Sequence, residues 1–131
     1  MKLEDDFCGK EYIKITLVCL SPDKCSILKG PAEEKRLVEI LRDDYCISRY
    51  EKMLQLVIKE KVAEDYQDFC FQMFSLEALQ EAFEKGKDNV TGSYLRNVQG
   101  KMQKVTAAIY PRKLGNKGKL EEFMLYVYSQ K

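Results

Sequence analysis

The chain has 131 residues, 45% of them apolar and 33% charged, and a formal net charge of +1. That is the length of one domain, with too much apolar material for a disordered tail and no overall charge that selects a partner. It contains no histidine, so the usual base for a Ser or Cys nucleophile and the commonest metal ligand are missing, and most hydrolase and zinc-site readings fall.

Residues 1–10 are polar and are expected to fray. Residues 11–20 alternate, with Ile13, Ile15, Leu17 and Cys19 on one face and Lys14 and Thr16 on the other, which predicts a strand. Ser21-Pro22-Asp23-Lys24 suits a type I turn, and residues 25–28 can return as a second strand. The β element therefore covers 11–29.

Gly30-Pro31 opens a helix over 32–45, with Glu33 and Glu34 in its first turn, where the helix dipole favours them. The pattern resets around Asp43–Cys46. Ser48 is a cap for a long helix over 48–73, whose stripe includes Tyr50, Met53, Leu54, Ile58, Phe69 and Cys70. Such a helix would be about 39 Å long, so it either breaks or extends into a dimer interface. Ser75 caps the next helix, 76–85, which Gly86 ends.

A further helix is read over 93–110, with Leu95, Val98, Met102, Val105 and Ile109 buried and Pro111 as its stop. Gly100 inside it costs up to ~1 kcal/mol relative to alanine. Residues 111–119 form a basic loop, and Leu120, Phe123, Met124, Val127 and Tyr128 step like a helical face. The expected fold is a single mainly α domain, a compact bundle of about five helices with a small N-terminal β-hairpin or strand.

The ends and the cysteines carry further expectations. No window approaches about 18 uninterrupted apolar residues, and the acidic start Met1–Asp6 lacks the order of a signal peptide. The five cysteines are Cys8, Cys19, Cys25, Cys46 and Cys70; their odd number and lack of a CxxC spacing point to reduced thiols in a cytoplasmic protein. Asn89-Val90-Thr91 is an accidental sequon match. Adjacent carboxylates such as Asp5/Asp6 and Asp43/Asp44 read as a solvated face.

Charge is unevenly distributed. Residues 1–84 carry 12 basic and 18 acidic side chains, whereas residues 85–119 carry nine basic side chains and one acid, Asp88. A basic cluster of this kind is the footprint of a phosphate-rich partner. The candidate nucleic-acid contacts are Lys85, Lys87, Ser93, Arg96, Asn97, Lys101, Lys104, Arg112, Lys113, Lys117 and Lys119. Other readings of the segment are docking on an acidic protein and a plain solvated face. If 105–109 and 120–128 were strands, the same stretch would be a recognition helix and a wing.

Residues 76–89 and Ser93-Tyr94-Leu95-Arg96-Asn97-Val98 resemble the C-terminal helical module of DnaD-like replisome proteins and related plasmid or phage replication initiators. Tyr94 and Val98 fit that pattern, while position 102 is Met where the family has Trp. The resemblance spans about residues 76–103 and implies two successive helices, DNA binding and replisome contacts.

The leading expectation is a non-enzymatic DNA-binding or nucleoprotein-binding protein, related to replication or mobile elements, with no cofactor, metal or membrane. The alternative is a helical protein–protein interaction adaptor or inhibitor. It would use the 48–74 helix face or the N-terminal strand, as a monomer or a homodimer.

Overall fold

A computed structural model of the protein describes residues 10–39 and 47–130. Strands β1 (Lys10–Leu20) and β2 (Asp23–Lys29) form the expected antiparallel hairpin. The Ser21–Pro22 peptide that joins them is cis, in place of the expected type I turn. Four helices follow: α1 (Ala32–Glu39), α2 (Arg49–Lys61), α3 (Gln67–Phe74) and α4 (Leu76–Glu84), with a 3-10 turn at Glu64–Tyr66 between α2 and α3. The chain then makes three long strands, β3 (Val90–Val98), β4 (Lys101–Leu114) and β5 (Leu120–Gln130).

The five strands form one antiparallel sheet in the order β2-β1-β5-β4-β3. The mainly α bundle is therefore corrected: the segments expected to be helical beyond residue 90, 93–110 and 120–128, are strands and one hairpin turn. The reason lies in which residues face inward. On β3 the inner face is Val90, Tyr94 and Arg96, so a charged residue interrupts the apolar alternation. On β5 both faces are apolar: Phe123, Leu125 and Val127 are buried, and Met124, Tyr126 and Tyr128 stand half-buried opposite. An apolar stripe on both faces mimics helical stepping.

Gln99 and Gly100 supply the decisive local signal. Their φ angles are 51° and 87°, and Val98 pairs with Lys101 across them. Positive φ at both central residues makes a two-residue hairpin turn, with Asn97 Oδ1 accepting from the Gly100 N–H at 2.8 Å. A helix cannot pass through this point.

On β1 the face that carries the polar residues is the inner one. Lys14, Thr16 and Val18 face the core, while Ile15, Leu17 and Cys19 lie on the outer face. The long helix over 48–73 breaks at Val62, whose ψ of 137° is extended. Val62 bridges to Arg96, and the Ala63 N–H donates to the Leu95 carbonyl at 2.9 Å, which binds the break to the sheet edge. The two serine caps form as expected: Ser48 accepts from the Glu51 N–H and Ser75 from the Ala78 N–H, each at 3.2 Å. The expected helix over 40–45 and the expectation for residues 1–9 lie outside the described residues.

The core fills the space between the helices and one sheet face. Tyr50, Ile58, Phe74, Leu79 and Phe83 pack against Val105, Ile109, Phe123 and Val127. Tyr50 meets Phe123 edge-on at 5.0 Å, and its hydroxyl donates to the Phe74 carbonyl at 2.6 Å. On the opposite face Tyr126 contacts both Tyr12 and Tyr110 at 6.0 Å.

A buried charge cluster beside an interior cavity

Lys14, Glu34 and Arg96 meet inside the protein. β1 turns Lys14 inward, the first turn of α1 presents Glu34, and β3 turns Arg96 inward from the far edge of the sheet. Each of the three residues is 1% exposed. Lys14 Nζ donates to Glu34 Oε1 at 3.0 Å, and Arg96 Nη2 donates to Glu34 Oε2 at 2.7 Å. One carboxylate thus serves two cations. Arg96 Nε also donates to the Asn97 carbonyl at 3.1 Å, and Lys14 Nζ lies 3.6 Å from Met53 Sδ.

The cluster carries one positive charge in excess among the described residues. Arg96 Nη1 has no hydrogen-bond partner among them, and neither has the Thr16 hydroxyl, two residues from Lys14 on the same face. Burial alone would raise the Glu34 carboxyl, but the Lys14 and Arg96 charges outweigh it and hold it below its ordinary value. Burial lowers Lys14, and its share of Glu34 does not restore it, with Arg96 lowering it further.

Lys14 and Arg96 line an interior cavity of about 30 Å³. Its other walls are core side chains of α2, α3 and the sheet, among them Met53, Ile58, Phe74, Ala107 and Val127. A space of this size admits one or two water-sized groups. The thiols nearby are not nucleophiles at neutral pH: burial pushes Cys25 up to about 11 and Cys70 up to about 12, and the thiolate is the reactive form.

The expected phosphate contacts do not form one surface. Arg96 is buried in the cluster and reaches no external partner. Ser93 is bonded to Thr106 at 2.9 Å, and Asn97 is used in the hairpin turn. Lys101 and Lys104 are exposed at the start of β4. Arg112 and Lys113 lie at its other end, facing Glu122 at 3.9 Å and Glu121 at 3.7 Å. Lys101 and Arg112 are separated by roughly 35 Å along the strand. Lys117 and Lys119 are exposed in the β4–β5 loop; Lys87 is exposed after α4, and Lys85 pairs with Glu81 at 3.0 Å.

No recognition helix is present at 93–110, because that segment is the β3–β4 hairpin, and the DNA-binding reading is corrected on that ground. The stretch that resembles the DnaD-like module is α4, a loop and β3, so the second helix of that module is a strand here. The helical adaptor is corrected as well. The face of 48–74 that it would use, including Tyr50, Met53, Ile58, Cys70 and Phe74, is packed against the sheet.

Sequence reasoning passed over Lys14 and Glu34. The available signal was Lys14 itself, a lysine between two isoleucines in a strand, and an acid in a helix first turn that could meet it. Among the described residues no helix is long and apolar enough to cross a membrane.

No family model matches the chain, and no curated protein matches it. Its structure is similar to that of a sensory box histidine kinase/response regulator from Burkholderia thailandensis, with a TM-score of 0.47 and 9% sequence identity, over 96% of this chain and 80% of that one. That similarity neither places the chain in a family nor assigns it an activity.

Proposed function

We propose that the chain is a non-enzymatic regulatory domain that binds a small molecule between its sheet and its helices. One observation carries this reading: Lys14 and Arg96, two buried cations that share a single carboxylate and one of which has a guanidinium nitrogen without a partner among the described residues, line an apolar interior cavity. Buried polar groups without partners are rare and costly, and cavities that combine apolar walls with a few convergent polar groups are the usual form of a small-molecule site. The ligand is either very small or displaces Met53, whose unbranched side chain adapts readily.

Several features favour binding over catalysis. Histidine is absent from the whole sequence, and burial holds the Cys25 and Cys70 thiols protonated. Cys19, Cys25 and Cys70 are free thiols, in keeping with a reducing compartment such as the cytoplasm. Binding at the cluster would tie together β1, α1 and β3, three elements far apart in the chain, which is how occupancy could alter the surface of the domain.

Thermal melting of the full chain with a panel of small acids, amides and alcohols tests the reading. At least one compound should raise the melting temperature in a saturable way. Ala107→Val, which fills the cavity wall, should suppress that rise while the protein remains folded. A panel without effect, or a rise unchanged in Ala107→Val, would remove the interior site.

A further inference from the structure

We infer that the interior site is a receptor for a small monocarboxylate, with Arg96 and Lys14 holding its carboxylate and the apolar cavity holding its short hydrocarbon part. This inference rests on the interior-site reading and names its ligand class.

Charge sets the valence. Among the described residues two cations share one carboxylate at 3.0 and 2.7 Å, so one further negative charge makes the buried cluster neutral. A dianion such as hydrogen phosphate would leave a surplus negative charge in the interior, which is strongly unfavourable. A neutral ligand would leave the surplus cation uncompensated.

Geometry sets the headgroup. Glu34 takes Nη2 of Arg96 and the Asn97 carbonyl takes Nε, which leaves Nη1 as the corner of the guanidinium without a partner among the described residues. With the other two guanidinium nitrogens taken, a carboxylate oxygen meets Nη1 in a single charge-assisted hydrogen bond. Lys14 approaches the same Glu34 from its other oxygen and lines the same cavity as Arg96. The walls set the rest of the ligand: beyond Lys14 and Arg96 the lining residues are uncharged and mostly apolar, with Met53, Ile58, Phe74 and Val127 among them, so the remainder is a short alkyl group without further charge. The volume of about 30 Å³ is room for one or two water-sized groups, so the ligand carries one or two carbons beyond its carboxylate and seats as the adaptable Met53 side chain moves aside.

The test is calorimetric titration and thermal melting of the full chain with propionate, with its neutral isostere propionamide, and with inorganic phosphate at matched ionic strength. Propionate should bind on the order of tenfold more tightly than propionamide, as expected for charge-assisted hydrogen bonds, and phosphate should not bind at the site. Lys14→Met keeps the side-chain length, removes the surplus charge, and should erase the preference for propionate while leaving any propionamide binding in place. Equal binding of propionate and propionamide would overturn the carboxylate inference and leave the interior site standing. Binding of neither, where other neutral compounds still act through Ala107, would also overturn the inference alone. A propionate preference that survives in Lys14→Met would overturn it too. If Lys14→Met does not fold, the comparison of propionate with propionamide in the unaltered protein decides the matter.

Discussion

Arg96 and Glu34 stand 62 residues apart in sequence and meet at 2.7 Å in the interior. The contact joins the edge strand of the sheet to the first turn of α1. Glu34 also holds Lys14 at 3.0 Å, so one carboxylate ties both halves of the chain to the same point. Breaking a buried pair costs far more than replacing it, because the remaining charge is stranded. Glu34→Gln should therefore destabilise the protein by about 3–5 kcal/mol. Lys14→Met, which leaves a neutral Glu34–Arg96 pair, should be neutral or stabilising. Urea unfolding at pH 7 checks both; similar losses for the two variants would contradict the one-carboxylate, two-cation account.

The same cluster predicts the pH dependence. Glu34 lies below its ordinary value in the folded protein because the Lys14 and Arg96 charges outweigh burial. Its stabilising contribution is therefore complete above the unfolded carboxyl range and is lost as pH falls through the folded value. Lys14 is lowered by burial from its ordinary value of 10.5, so the unfolded chain binds the extra proton. Stability relative to Lys14→Met should consequently rise with pH up to about 10.5 and then level off. Melting curves of the two proteins across alkaline pH, compared as a difference, check the sign.

Gly100 discriminates between the observed hairpin and a helix through the same residues. In a helix, Gly100→Ala would stabilise by up to ~1 kcal/mol. At a φ of 87° the same change should destabilise by about 1–2 kcal/mol, the cost of placing a Cβ in the left-handed region. Thermal unfolding of the single variant gives the answer by sign alone.

Tyr50 is buried with its hydroxyl on the Phe74 carbonyl at 2.6 Å, which satisfies a carbonyl at the end of α3. Tyr50→Phe should keep the edge-on contact with Phe123 and cost about 1–3 kcal/mol for the carbonyl left without its donor. A urea midpoint that does not move would show that the carbonyl finds another partner.

Local chemistry was legible in the sequence where one residue acts on its own neighbours. Ser48 and Ser75 cap the helices they were expected to cap, and the hairpin of β1 and β2 follows from the β-branched alternation of β1 and the turn residues Ser21-Pro22 after it. What was not legible depends on distant partners. Lys14 faces inward only because Glu34 and Arg96 meet it there, so the polar face of β1 is its core face. Arg96 breaks the alternation of β3 for the same reason, and Met124, Tyr126 and Tyr128 give β5 a second apolar face. Gln99-Gly100 was the local signal that could have prevented the helical reading of 93–110. The site was hidden for one physical cause: its three charged residues violate patterning singly and satisfy one another only in the fold.

A ligand received by the Lys14–Glu34–Arg96 cluster changes the surroundings of Arg96, Met53 and Ile58 together. Nuclear magnetic resonance of the Arg96 Nε–H and of the Met53 and Ile58 methyl groups during a propionate titration reads this. All three sets of signals should shift together and saturate at one common affinity, and the shifts should be absent in Lys14→Met. Signals that stay fixed through the titration, while exposed lysines such as Lys101 respond, would contradict it.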